Sequence, residues 1–163
     1  MLKPEGVVSK IVTGAGRFSV HYGAHEHPGF CVVLQGSCWL AVEGAEPVEI
    51  GEGDFVLLPS SPSFVLASDL EAKPRSVDPV DEDVLYGPPG AAPTVRMMGG
   101  YFRFDRANAR LLLRFLPVLV HVRRGEGGSA RLRRIVELIS EEARGRLPGR
   151  DLVVERMVEG AAS

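Results

Sequence analysis

Apolar and polar residues alternate over short stretches along the first hundred positions, the pattern of β-strands. Six segments, some alternating and some continuously apolar, are predicted as strands: Arg17–Tyr22, Phe30–Leu34, Ser37–Val42, Pro47–Ile50, Phe55–Leu58 and Phe64–Ala67. Pro59 ends the fifth of them, because proline cannot donate a ladder hydrogen bond. Turn residues recur about every ten positions, which is typical of an all-β sandwich or barrel.

The two apolar runs on either side of Gln35-Gly36 are predicted to form a hairpin, because this dipeptide can supply the positive φ angles of a two-residue turn. One face of the hairpin then holds Trp39 and the other holds Cys31, so these two residues cannot both face one pocket. Both faces of the hairpin are apolar, which predicts that it forms a barrel wall covered on both sides.

Residues 68–93 interrupt the strand pattern. They contain five prolines, few large apolar residues and a run of acidic positions between Asp78 and Asp83, which is typical of a mobile surface excursion. The strand pattern returns at Thr94–Met98 and Gly99–Phe104.

After residue 104 the apolar period becomes that of α-helices. Asp105 is a suitable N-cap for a helix that Pro117 ends, and Ser129 for a second helix that Gly145 ends. Asp151–Val158 is typical of the first turns of a third helix. We therefore predict a β-barrel over residues 1–104 and a helical layer over residues 105–163, packed together as one compact domain.

Composition narrows the class of protein and its compartment. The 163 residues are 45% hydrophobic and 25% charged, an ordinary globular balance. Two cysteines are too few for a disulfide framework in a domain of this size, which favours a reducing compartment. No apolar run reaches the ~18 residues of a membrane span, and the N-terminus has no signal-peptide core. These observations predict a cytoplasmic protein without a membrane partner.

The net charge of −2 is the sum of two unequal parts. Residues 1–100 carry 6 Lys or Arg against 13 Asp or Glu, which gives −7, and residues 101–163 carry 13 Arg against 8 Asp or Glu, which gives +5. The sign changes where the predicted barrel meets the predicted helices. Solvated faces of one domain can differ in this way, and a basic layer can also face an acidic partner.

Four segments, in order, resemble a cupin, and more narrowly the N-terminal effector-binding cupin of AraC-type transcription regulators. They are residues 30–40, 53–59, 99–104 and 111–117. The resemblance covers roughly residues 15–158 and implies a mainly β fold, a cupin-like double-stranded β-helix (jelly-roll barrel) followed by two to three α-helices. It also implies a small-molecule effector, a homodimer, and DNA binding only through a helix-turn-helix half that this chain does not contain.

On this resemblance we expect a non-enzymatic sensor whose barrel binds the effector. The predicted pocket residues are Trp39, Phe64, Tyr101, Cys31 and Val33. Trp39 and Tyr101 combine a large apolar area with a hydrogen-bonding tip, which suits a mixed pocket. The predicted dimer-interface residues are Leu112, Phe115, Ile135 and Ile139.

The metal-binding pattern of cupins is incomplete in this chain. Phe64 stands at a ligand position and offers no lone pair, Ser61 stands at a glycine position, and Cys31 stands where regulators of this subfamily commonly carry histidine. No cofactor is therefore predicted.

Histidines nevertheless cluster before the first long apolar run. His21, His25, His27 and Cys31 would face one side of an uninterrupted strand, but Gly23 and Pro28-Gly29 break it. If a metal binds at all, we expect adventitious zinc or nickel on the three histidines.

Two rival functions remain open at this point. One is a metal-dependent cupin oxygenase or isomerase, and the other is a pure dimerisation module with a filled barrel. Asp54 and Glu52 could suggest a carboxylate pair, but an aspartate in the turn 51–54 usually bonds its own backbone.

Overall fold

The computed structural model describes residues 6–103 and 116–124, and this part of the chain is built from β-strands. The strands are β1 (Gly6–Ala15), β2 (Ser19–Tyr22), β3 (Gly29–Val42), β4 (Val48–Gly51), β5 (Phe55–Leu58), β6 (Phe64–Ala67), β7 (Arg75–Ser76), β8 (Val84–Tyr86), β9 (Pro93–Arg103) and β10 (Val120–Val122). The mainly β class is confirmed. The predicted helices, with Leu112, Phe115, Ile135 and Ile139, lie outside the described residues.

Strand β3 joins the two halves of the sheet. Its first half pairs with β5 and β9, and its second half pairs with β4 and β6. Inward side chains from both halves belong to one buried cluster, so the sheet curls around a common core, as in a cupin. Its members include Val33, Cys38, Leu40, Val42, Ile50, Val56, Leu58, Leu66, Val95 and Met97.

The predicted hairpin at Gln35-Gly36 is wrong, because β3 runs straight through this dipeptide. Gly36 does have a positive φ of 76°, but it pairs with Val95 of β9 instead of reversing the chain. The register shifts between Val33 and Gln35, which is a β-bulge that adds one residue to β3. One extra residue in a strand and a two-residue turn both exchange the faces to which the following odd-numbered and even-numbered residues point. The residues predicted for each face of the hairpin therefore do lie on the same face of β3.

The outer face of β3, β5 and β9 carries a second buried layer. Phe30, Val32, Leu57 and Phe102 are each at most 4% exposed and lie outside the inner cluster. The ring centroids of Phe30 and Phe102 are 4.8 Å apart. This part of the sheet is therefore covered on both sides, as its two apolar faces predict.

Residues 68–93 lie largely at the surface but contain two short strands that the sequence pattern does not indicate. β7 pairs with β2 and β8 pairs with β1, both in parallel, at the two ends of the strand order. Strands of two and three residues are too short to show an alternating pattern. We call residues 77–83, between β7 and β8, the strap.

Two hydrogen bonds fasten the ends of the strap to the sheet. The Val77 amide donates to the His21 carbonyl over 3.1 Å, and the Ile11 amide donates to Asp83 Oδ1 over 2.9 Å. The predicted excursion is therefore attached to the sheet at these two points, and its predicted mobility stays a prediction.

Asp54 is buried in the turn between β4 and β5 and fixes β10 against β5. Its carboxylate accepts the Gly51 amide at 2.9 Å, which confirms the predicted bond to its own turn. It also accepts the Arg124 amide at 3.0 Å and lies 2.9 Å from His121 Nε2. Burial by itself raises the pKa of Asp54, but these hydrogen bonds outweigh it and lower the pKa below its ordinary value.

We predict that Gly36→Ala destabilises the fold, because a Cβ on Gly36 would overlap the Thr94 carbonyl oxygen and φ is positive there. The expected loss is about 2–4 kcal/mol of unfolding free energy, measured by urea denaturation. Gly51→Ala is the matched control, because no heavy atom lies within 4 Å of its added Cβ. Equal losses in the two variants would contradict the role of the bulge.

We predict that Asp54→Ala costs about 2–4 kcal/mol near neutral pH, because it leaves buried hydrogen-bond donors without an acceptor. A carboxylate whose pKa is lowered by folding stabilises above its unfolded value of 3.8, and this contribution is lost as the pH falls through the lowered folded value. The difference between wild type and variant should therefore shrink below about pH 4, as measured by chemical denaturation. A constant difference down to pH 2, or an equal loss in the exposed Asp78→Ala control, would refute this role.

Candidate functional site

The curled sheet lines a partly open cavity of about 140 Å³. Strands β1, β2, β3, β4, β5, β6 and β9 all contribute to its lining, together with residues 79–81 of the strap. A dry cavity of about 150 Å³ is known to hold a benzene molecule. The cavity volume is therefore large enough for one small ring or a short chain.

Most of the cavity wall is apolar. The apolar lining residues include Val12, Leu40, Ile50, Val56, Leu58, Leu66 and Met97. Eight polar or ionisable residues interrupt this wall, among them Ser9 and Tyr101. The other six are Lys10, Tyr22, His25, Cys31, Ser61 and Asp81. An apolar wall with a few convergent polar groups is typical of small-molecule sites.

Three of the five predicted pocket residues line the cavity, namely Cys31, Phe64 and Tyr101. Val33 belongs to the inner cluster but is not among the lining residues. Trp39 is the neighbour of the inward-facing Leu40 in β3, so its side chain lies on the opposite face of the strand. A functional role for any of the five stays a prediction.

Lys10 and Tyr22 are lining residues that sequence reasoning missed. Neither belongs to the four segments that carry the family resemblance, and Lys10 lies on a strand, β1, that was not predicted. Alternation could have placed Tyr22 beside Val20 on the apolar side of β2, but nothing in the pattern indicates which strand faces a cavity.

Tyr22 forms a buried phenol pair with Tyr86, their hydroxyl oxygens 2.5 Å apart. Its ring also stacks on Phe64 at a centroid distance of 4.9 Å. Burial, reinforced by the hydrogen bond with Tyr86, raises the pKa of Tyr22 well above its ordinary range. The raised pKa keeps the Tyr22 phenol neutral, and the contacts with Tyr86 and Phe64 hold its ring in place at the cavity wall.

Lys10 brings a cation to the cavity. Its Nζ donates to the Val80 carbonyl of the strap at 2.8 Å and lies 5.7 Å from the centroid of the Tyr22 ring. Burial lowers the pKa of Lys10, and the nearby Asp81 carboxylate acts in the opposite direction.

His25, His27 and Tyr101 form a cluster of rings, with centroid separations of 4.8 to 5.6 Å. Ser61 holds the loop in place, because its carbonyl accepts the His25 amide at 2.9 Å and its hydroxyl donates to the His27 carbonyl. Ser61 has a φ of 43°, a conformation that favours glycine. This backbone geometry agrees with the glycine that the cupin pattern has at this position.

The residues at the metal-binding positions of the cupin pattern do not fit a metal ion. Cys31 and Phe64 line the cavity, but phenylalanine is no ligand, and burial raises the pKa of the Cys31 thiol well above its ordinary range. Cys31 Sγ contacts Met97 Sδ at 3.3 Å. Burial likewise raises the pKa of Cys38, to about 12. Both thiols therefore stay protonated and weakly nucleophilic near neutral pH.

The three predicted alternative ligands are not brought together around one point. β2 ends at Tyr22 and β3 begins at Gly29, so the strand break predicted between His21 and Cys31 is confirmed. His21 lies on the face of β2 opposite Tyr22, whereas His25 lines the cavity. Within residues 6–103 and 116–124, no group of three or more His, Cys, Asp or Glu is arranged to hold a metal ion.

The family model described as a cupin (Cupin_6) matches residues 1–160, and the chain therefore belongs to this cupin family. The chain is 37% identical over 129 residues to a protein of Streptomyces antibioticus described as an AraC-like transcription regulator. It is 35% identical over 130 residues to a protein of Streptomyces lividans with the same description. These matches cover 77% and 75% of this chain but 42% and 41% of the relatives, so the chain spans about two-fifths of their length.

A similar solved structure is that of ToxT from Vibrio cholerae, with a TM-score of 0.43 and 11% identity. The match covers 94% of this chain and 51% of that protein. In the described part of the chain, no helix has the length and apolar character that a membrane span requires.

Proposed function

We propose that this chain is the effector-binding part of an AraC-like transcription regulator, and that a small, largely apolar molecule binds in the cavity. The observation that carries the proposal is the cavity itself, with a mostly apolar wall interrupted by polar groups. Two AraC-like relatives that align with three-quarters of the chain support the regulatory context.

The layout of the strands suggests how binding is transmitted. Cys31 of β3 lines the cavity, while its neighbour Val32 does not and packs into the outer layer on the other face of the sheet. A ligand that shifts β3 or β9 therefore also shifts the outer layer. The effector acts only through its different affinity for the two arrangements.

Dimerisation and DNA binding belong to the proposal through the family resemblance. The interface is proposed on the predicted helices, at Leu112, Phe115, Ile135 and Ile139, outside the described residues. DNA would be bound by a helix-turn-helix in another part of the regulator. Cys31 and Cys38 are free thiols, which agrees with the cytoplasmic location we propose.

The two rival functions have less support. A metal-dependent cupin enzyme needs a donor set that the cavity wall does not supply among the described residues. A pure dimerisation module with a filled barrel does not need a mostly apolar cavity of about 140 Å³. The protein is therefore proposed to be a sensor rather than an enzyme.

We predict that apolar compounds of about the size of benzene to naphthalene stabilise the chain in a thermal-shift screen. A ligand present at a hundred times its Kd adds about 2.7 kcal/mol, enough for a rise of several degrees. Phe64→Trp should reduce the rise, because the larger ring occupies part of the cavity. Trp39→Phe, on the opposite face of β3, should leave it unchanged.

Two results would contradict this proposal. One is a screen in which no compound stabilises the folded protein. The other is a ligand-induced rise that Phe64→Trp leaves intact while Trp39→Phe abolishes it, since the ligand would then bind on the other face of the sheet.

A further inference from the structure

We infer that the ligand of this cavity is an anion, an apolar body with one carboxylate or similar acidic group, and that Lys10 binds the acidic group. The inference rests on the proposed function, because it names the chemical class of the effector. It follows from where Lys10 lies, from what surrounds its ammonium group, and from the apolar character of the remaining wall.

Lys10 is the one Lys or Arg among the described residues that line the cavity. It lies on β1 opposite Gly99 of β9, which also lines the cavity and has no side chain to fill the space. A lysine ammonium group has three donors. The Val80 carbonyl accepts one of them, at 2.8 Å.

The ammonium group of Lys10 is only partly compensated. Among the described residues no carboxylate lies within ion-pair distance of its Nζ, and Asp81 acts on it from beyond 4.0 Å. The Tyr22 ring, at 5.7 Å, adds a weak cation–π attraction. A half-buried cation with incomplete pairing favours a ligand that carries a negative charge, because a neutral ligand displaces water without replacing its solvation.

The wall around Lys10 fits the rest of such a ligand. Leu40, Ile50 and Met97 offer an apolar surface to a ring or a short chain. An acid without an apolar body would leave this surface unfilled, and a neutral apolar compound would leave the ammonium group without an anionic partner. An amphipathic acid satisfies both parts of the wall at once.

Lys10 could instead serve only to hold the strap, since it bonds Val80 within residues 77–83. Asp83 provides a matched test of that role, because it fastens the same strap through the Ile11 amide and does not line the cavity. Asp83→Ala therefore loosens the strap without removing the cation. Lys10→Met removes the cation and keeps much of the apolar side-chain length.

The experiment compares matched acid and alcohol pairs by isothermal titration calorimetry on the full 163-residue chain. The probes are 3-phenylpropanoate with 3-phenylpropan-1-ol and hexanoate with hexan-1-ol. We expect at least one acid to bind wild type about tenfold or more tightly than its alcohol, the gain of one charge-assisted hydrogen bond. Lys10→Met should abolish that preference and change the alcohol affinity less than about threefold.

Three further variants separate charge from structure. Asp81→Asn should tighten binding of the acid and not of the alcohol, because it removes a like charge from the wall. Asp83→Ala and the exposed Lys73→Met should both keep the preference for the acid. Asp81→Asn also keeps the inference testable if Lys10→Met fails to fold.

The outcomes are distinguishable. Alcohols that bind wild type as tightly as their acids, an acid preference that survives Lys10→Met, or one that Asp83→Ala abolishes would each overturn the inference, while the cavity would remain a binding site. Asp81→Asn without effect on the acid would also count against it. If neither member of any pair binds, the inference and the proposed effector site fail together.

Discussion

The structure depends on one strand serving both halves of a curled sheet. Strand β3 must send alternate side chains to the same core before and after residue 36, although its neighbours change from β5 and β9 to β4 and β6. The extra residue between Val33 and Gln35, followed by the positive φ of Gly36, achieves this. Without this bulge the alternation would place Cys38, Leu40 and Val42 on the outer face.

The cavity is a consequence of that arrangement. Because both halves of β3 face inward to one core, Cys31 from the first half and Leu40 from the second line the same cavity. The remaining wall comes from the strands paired with β3 and from β1 and β2. Strand β1 adds the cation of Lys10 to a wall that is mostly apolar. The same strands carry the outer layer on their reverse face, so a change in the cavity can reach the far side of the sheet.

Local patterns predicted much of the fold and part of the site. Strands β5 and β6 have the predicted bounds, and the face shared by Cys31 and Leu40 follows from alternation. A turn and a bulge change parity equally, so alternation could not tell a hairpin from a continuous strand. The position of Lys10 at the cavity could not be predicted, because it depends on the pairing of β1 with β9. Local patterns do not indicate which strands that are distant in sequence become neighbours.

The most direct test of the central claim is to locate the bound ligand by nuclear Overhauser effects in a methyl-labelled sample of the full chain, with a ligand that stabilises it. The account predicts contacts from the ligand to the methyl groups of Leu40 and Met97, which lie on the inner face. Contacts to Val32 and Leu57 of the outer layer, with none to the inner methyl groups, would contradict it.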